Sequence, residues 1–296
     1  VQLYNNMSIE EPSRSKTELI HLTYEGNFQL ECTATILKCQ TVESPTITKE
    51  EEINEGKDHV VMVYLDRTTM HPQGGGQPSD IGVIVDESQG ILLKVDKVGK
   101  IGGFSDFEVV HIGRLMNVSG NDIVDHDIVS FSPGSAVSVS VDADRRRLLS
   151  ECHTAGHVVD SAMFRCGQVL PPSKGYHFLD GPYVEYRGVI PPNERVELLQ
   201  KLKVAFKELV DENIETSIET LDAGEAENVC NRLAQNFDLS CYGDGDVRVV
   251  NVGGWPCPCG GTHVASTADL KERNWGISGI KCKKGVVRIK YNQNTT

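Results

Sequence analysis

From Asn27 onward apolar and polar residues alternate, with Phe28, Leu30, Cys32, Ala34 and Ile36 on one side of the chain and mostly polar residues between them. A repeat of two places every second side chain on one face of an extended backbone, so this stretch predicts a half-buried strand. Short β-branched runs follow at 59–65, 81–85, 91–95, 107–112 and 136–141, divided by Gly, Asp and Ser turns. Residues 20–141 therefore read as an all-β domain, a small barrel or a strongly bent sheet. Residues 1–19 read as a flexible N-terminal segment. Residues 1–6 precede a Met and are left out of the fold reading.

The period changes at Asp142. Asp142 or Asp144 can cap a helix that runs through RRRLLSECHTAGHVVDSAMFRC and stops at Gly167, a residue suited to the left-handed position after a helix end. A second helix is predicted over about 193–213, where Val196, Leu199, Leu202, Phe206 and Leu209 recur at three- and four-residue steps, and a third over 223–236. Strand-like stretches lie between and after them: YHFLDG, YVEYRG, SIETL, DVRVVNV and GVVRIKY. Residues 142–296 thus read as an α+β domain with helices on one face of a mostly antiparallel sheet. No internal repeat is visible.

Bulk properties narrow the class. The 296 residues are 39% hydrophobic, enough for two ordinary domains with real cores. No run approaches eighteen apolar residues and the first twenty lack a signal-peptide pattern, so the expectation is a soluble, cytoplasmic protein with no membrane partner. Nine cysteines, an odd count spread along the chain, predict mostly reduced thiols rather than a disulfide framework. A net charge of −13 opposes tight, non-specific nucleic-acid binding. Two local clusters run against it: Arg145, Arg146 and Arg147, and the set Lys281, Lys283, Lys284, Arg288 and Lys290. Each reads equally well as a binding patch or as solvated surface charge.

Candidate chemistry enters with HTAGH at 153–157 and CPCGGTH at 257–263. His153 and His157 are four apart on the predicted helix, so both imidazoles project from one face. Cys259 and His263 add a thiolate and an imidazole, and Gly260-Gly261 allows the tight bend that lets them converge. Mixed N and S donors point to Zn²⁺ rather than Mg²⁺ or Ca²⁺, which take oxygen. Cys257 could compete as a ligand, although it reads more readily as a structural thiol. Four protein ligands would close the site, whereas three would leave a position for water or substrate. HTAGH lacks the glutamate of H-E-x-x-H, which argues against a protease.

The β domain carries LDRTTMHPQGGGQPSDIG at 65–82. Three glycines, Gly74 to Gly76, exceed what a hairpin needs and suggest close approach to another backbone or to a ligand. The loop has neither the Lys-Ser/Thr of a P-loop nor a dinucleotide fingerprint. Gly75, Gly76, Gln77 and Thr68 are the substrate-binding candidates. Gln77 and Thr68 are also the catalytic candidates, since one offers an amide and the other a small hydroxyl. Taken singly, each reads as a turn or strand residue satisfied by local backbone.

HTAGH, CGGTHV and GGGQPSD, in this order and spacing, resemble the free-standing alanyl-tRNA editing proteins of the AlaX type, relatives of the editing domain of alanyl-tRNA synthetase. GYHFLDGPYVEY, VRVVNVGG and GIKCKKGVVRIKY fit too, so the resemblance covers about 25–291. It implies a β-barrel-like domain followed by an α+β domain of the threonyl/alanyl-tRNA synthetase second-additional type, holding zinc on His153, His157, Cys259 and His263. It also implies hydrolysis, in trans, of tRNA(Ala) wrongly carrying serine or glycine, sparing alanine, with Gln77 and Thr68 facing the amino acid and Thr68 reading the serine hydroxyl. Met70-His71 stand where family members usually carry aromatics. Two other readings are a deacylase for another mischarged tRNA and a non-catalytic zinc-stabilised module that binds RNA or protein.

Overall fold

The computed structural model describes residues 17–43, 59–102, 107–121, 131–234, 237–240 and 245–294. Thr17 is already held: its hydroxyl donates to the Leu65 carbonyl at 2.7 Å. Strand β1 (Glu18–Leu19) then pairs in parallel with β4 (Arg67–Thr68), reached after β2 (Glu31–Glu43) and β3 (His59–Leu65). Residues 17–19 are thus part of the barrel's flank and not of a flexible segment. The predicted strand from Asn27 also starts late. Thr23 accepts a hydrogen bond from the Gly26 N–H at 3.0 Å and caps a short helix, α1 (Tyr24–Phe28), so β2 begins only at Glu31. Alternation records side-chain spacing and is blind to a cap just upstream.

Strands β5 (Gly82–Asp86), β6 (Ile91–Gly102), β7 (Phe107–Asn117) and β8 (Ala136–Val141) complete a closed barrel in the order β2-β3-β7-β6-β5-β8. Every pairing in it is antiparallel, and β2 meets β8 through Glu31↔Ser140 to Thr35↔Ala136. Closure leaves no free sheet edge. The interior is filled by inward residues such as Ile36, Val63, Leu65, Ile84, Leu93 and Val139. β6 and β7 run several residues beyond the apolar stretches that predicted them, because the ladder between them continues through Gly102↔Phe107 and Ile91↔Asn117, with Val98 and Leu115 still reaching the core among polar neighbours.

Asp142 caps the long helix α2 (Ala143–Arg165), accepting from the Arg145 N–H at 2.8 Å, and Gly167 closes it at φ +72°. The remaining elements are β9 (Pro172–Tyr176), β10 (Tyr183–Arg187), α3 (Arg195–Asp211), β11 (Ser217–Asp222), α4 (Ala223–Asn231), β12 (Asp246–Val252), β13 (Trp255–Pro258), β14 (Gly276–Lys283) and β15 (Val286–Asn292). They form two antiparallel sheets, β14-β15-β10-β9 and β11-β12-β13, in place of the single sheet expected. α2 packs against strands of both, so it is a central buried helix and not one of several on an outer face. In α3 the buried stripe runs through Leu198, Leu202, Phe206 and Leu209, while Val196 is 74% exposed. α4 ends at Asn231, whose side chain turns to the Phe237 backbone at 2.8 and 2.9 Å and so terminates the helix short of the predicted 236.

A buried ion pair joins the two halves. Arg146 (4% exposed) donates to both carboxylate oxygens of Asp80 (0%) and, through Nη2, to the Thr69 carbonyl at 2.6 Å. Arg147 pairs with Glu151, Asp269 and Glu272. Arg146 is therefore an internal tie and the exposed Arg147 is engaged by three acids, so the triplet is not an open basic patch. Among the described residues no helix is long and apolar enough to cross a membrane, and the eight described cysteines are free; Cys241 lies outside the described residues.

Candidate metal centre at the domain junction

α2 carries His153 and His157 one turn apart on its buried face, and the loop after β13 brings Cys259 and His263 over them. One ligand atom from each of the four lies within 4.8 Å of the others. Cys259 Sγ is 3.5 Å from His153 Nε2 and 3.4 Å from His263 Nε2. A tetrahedral zinc with bonds of about 2.0–2.3 Å sets its ligand atoms about 3.3–3.7 Å apart, so these separations suit a shared ion.

Electrostatics favour the metal-ready forms of the imidazoles. Burial pushes the His157 pKa down to about 4 and those of His153 and His263 well below the ordinary value, so all three rings are neutral and keep a lone pair. Burial raises the Cys259 thiol, against the pull of Arg248. A cation at the site would convert that thiol to thiolate and release its proton.

Three of the four, His153, His263 and Cys259, are oriented from outside, whereas the buried Nδ1 of His157 has no hydrogen-bond partner among the described residues. Gln77, fully buried on the barrel's glycine loop, places Oε1 2.6 Å from His153 Nδ1, accepts the Thr262 N–H at 3.0 Å and donates from Nε2 to Thr262 Oγ1 at 2.9 Å. Thr262 Oγ1 continues to Ser150 Oγ at 2.8 Å. Thr154, inside HTAGH, sits 3.2 Å from His263 Nδ1 and accepts from the Val264 N–H at 3.2 Å. Asn27 pairs with the His263 backbone in both directions, at 2.8 and 2.9 Å, across 236 residues of sequence. Arg248 ties the Cys259 carbonyl (2.5 Å) to that of Leu22 (2.8 Å). Nδ1–H bonds of this kind fix which ring nitrogen faces a metal.

His177, from GYHFLDG, stacks on His153 with centroids 4.2 Å apart and lies 2.6 Å through Nδ1 from the Tyr291 hydroxyl. It explains the glycine in HTAGH, because a Cβ on Gly156 would stand 2.5 Å from the His177 ring. Cys257 lies outside the four-residue cluster; its Sγ is 3.6 Å from the Pro258 carbonyl.

The glycine loop makes the close approach its sequence suggests. Gly76 has φ +80°, a Cβ on it would meet the Gly175 carbonyl at 2.3 Å, and its own carbonyl accepts the His177 N–H at 2.8 Å. Gly75 has φ +57° and open space beside it. Thr68 is buried, 2.9 Å from His111 Nε2, and accepts the Met70 N–H at 3.1 Å. His111 Nδ1 lies 3.2 Å from the Val63 carbonyl, so Nδ1 carries the proton and Nε2 accepts the Thr68 hydroxyl. Gln77 is thus brought onto the metal cluster, while Thr68 is engaged with His111. Sequence reasoning missed Asn27, His177 and Arg248. Asn27 was read as a strand start, and a residue that acts only through a contact formed by folding leaves no local signal.

Residues 247–290 match the family of the threonyl and alanyl tRNA synthetase second additional domain. The chain is 30% identical over 228 residues to the alanyl-tRNA editing protein AlaX-M of Methanosarcina acetivorans, covering 75% of this chain and 82% of that one. It is 29% identical over 240 residues to the AlaX-M of Methanosarcina mazei, covering 79% and 83%. The alanine–tRNA ligase of Methanothermobacter thermautotrophicus is 30% identical over 248 residues, which is 78% of this chain and 23% of the ligase. The chain belongs to the AlaX-type alanyl-tRNA editing proteins.

Proposed function

We propose that this chain is a hydrolase that acts in trans on mischarged tRNA(Ala), releasing serine and glycine and sparing alanine. Membership of an alanyl-tRNA editing family supports the tRNA part of this reading. The observation that carries the site is the Gln77 bridge, which joins the barrel's glycine loop to His153 and Thr262 and so sets that loop against the cluster. We assign Zn²⁺ to His153, His157, Cys259 and His263, on donor chemistry and spacing. Held by these four residues, zinc would supply positive charge to offset the negative charge that develops during ester hydrolysis.

The chain's own groups do the positioning. Gln77 Nε2 has a second hydrogen beyond the one given to Thr262, and we assign it to the ester carbonyl. We assign Gly75, which has open space beside it, to the substrate's approach, whereas the room a side chain would need at Gly76 is already filled by the Gly175 carbonyl, so Gly76 serves the packing of the loop. An aminoacyl ester is labile, so orienting it and a water achieves much of the task. Selection is harder. Thr68 donates to His111 and accepts from Met70, which leaves one lone pair, so it reads serine by accepting the substrate hydroxyl. Thr68→Val should reduce the preference for seryl over alanyl ester about tenfold or more, while bound metal is retained.

The test is a panel of tRNA(Ala) charged with serine, glycine or alanine, together with a second mischarged tRNA. Release of serine and glycine with alanine retained supports the reading. Hydrolysis of the other mischarged tRNA alone points to a different deacylase, and no turnover of any ester leaves a binding module.

A further inference from the structure

The sheet β14-β15-β10-β9 turns Val184, Tyr186, Val287, Ile289 and Tyr291 to the core. The alternate residues form the opposite face in cross-strand rows. One row holds Tyr176, Tyr183 and Lys290, the next Lys174, Glu185, Arg288 and Lys281, and the third Arg187, Val286 and Lys283. The cations Lys174, Arg187, Lys281, Lys283, Arg288 and Lys290 therefore share one face, and Glu185 is the acid within these rows. In a chain of net charge −13 this is a local reversal of sign.

Glu185 is taken by Arg288 at 2.9 Å. Among the described residues no ion pair engages Lys174, Arg187, Lys281, Lys283 or Lys290. Neighbouring strands lie about 4.8 Å apart, and like charges on adjacent strands repel, so the array is unfavourable unless an anion with repeated charges lies across it. Solubility does not call for it, since an acidic surface serves that purpose.

The same face carries a ladder of flat groups. Tyr176 stacks on Phe178 (4.7 Å) and on Tyr183 (5.2 Å), and the Arg288 guanidinium lies 4.5 Å over the Tyr183 ring. His177, between Tyr176 and Phe178, is directed inward onto His153. The ladder and the metal cluster thus lie on opposite sides of one three-residue segment.

We propose that this sheet face docks the phosphate backbone of the tRNA whose 3′ end enters the metal centre, an assignment that rests on the editing reading above. Repeated phosphates supply the charge complement, and a face one residue from the site is within reach of the same RNA arm.

The experiment measures binding of uncharged tRNA(Ala) to the metal-loaded protein by fluorescence anisotropy across a salt series. Lys281→Gln with Lys290→Gln should weaken binding about tenfold or more near 0.1 M salt. The same change should make the slope of log K against log salt shallower by about 1.5, as expected for two lost phosphate contacts. Lys94→Gln with Lys97→Gln, on the barrel, should alter neither. The Arg187→Gln, Lys283→Gln pair should repeat the effect of the first pair. An unchanged slope, an equal loss from the barrel pair, or competition by polyglutamate as strong as by tRNA would overturn the proposal. Turnover of seryl-tRNA(Ala) with a KM indifferent to the sheet lysines would sink it and leave the editing reading standing. A protein that holds tRNA on this face yet hydrolyses no mischarged ester would sink the editing reading alone.

Discussion

Gln77 Oε1 lies 2.6 Å from His153 Nδ1, a hydrogen bond that carries the barrel's glycine loop onto the ligand helix. It selects the His153 tautomer that leaves Nε2 facing Cys259. Gln77→Ala should therefore lower metal affinity by about 10–100-fold. Gln77→Glu, which keeps an acceptor for His153 and the Thr262 N–H, should lose much less. Competition against a chelator measures both, and equal affinities for the alanine variant and the wild type would refute the orienting role.

The Arg146–Asp80 pair fixes the barrel to α2 in a fully buried setting. Arg146→Met strands the Asp80 carboxylate and should cost about 3–5 kcal/mol. Adding Asp80→Asn should return part of that loss. Urea midpoints of the two single variants and the double variant give the coupling; simple additivity would mean the two groups are energetically independent.

Gly75 and Gly76 both have positive φ, but only Gly76 abuts another backbone. Gly75→Ala should cost about 1 kcal/mol, from the left-handed conformation alone. Gly76→Ala must also displace the Gly175 carbonyl and should cost clearly more. Thermal melts of the two variants decide this, and equal shifts would contradict the assigned contact.

His111 is neutral in the folded protein because burial pushes its pKa down to about 4, from 6.5. Its unfolded form takes up a proton first as pH falls, so the stability linked to it is complete above about pH 6.5 and is lost as pH drops toward 4. At pH 5 the loss is about 2 kcal/mol. Between pH 7 and pH 5 the wild type should therefore lose more stability than His111→Gln, measured by urea midpoints. Parallel losses would show that His111 does not titrate on unfolding.

The barrel and the convergence of His153, His157, Cys259 and His263 were legible in the sequence for the same reason: both are written in local spacing. Period-2 runs such as AVSVSV mark strands, and an i, i+4 histidine pair on a capped helix can point only one way. The Gly76 contact was legible as a need for space, though not its partner. What could not be read depends on folding. The position of α2 between two sheets, Asn27 gripping the His263 backbone across 236 residues, and His177 resting on Gly156 are pairings between distant segments with no periodic trace. Arg146 was misread for a related reason, since a charge looks like surface until its buried partner, Asp80, is in place.

The most direct measurement is X-ray absorption at the zinc edge, with metal counted per chain, on the protein as purified and on Cys259→Ser and Cys257→Ser. The account predicts one zinc per chain, bound by three nitrogens and one sulfur, with the sulfur signal lost in Cys259→Ser and intact in Cys257→Ser. A protein that takes up no zinc, or one whose metal shows two sulfurs or a sulfur that vanishes with Cys257, would contradict a single site built from α2 and the loop after β13.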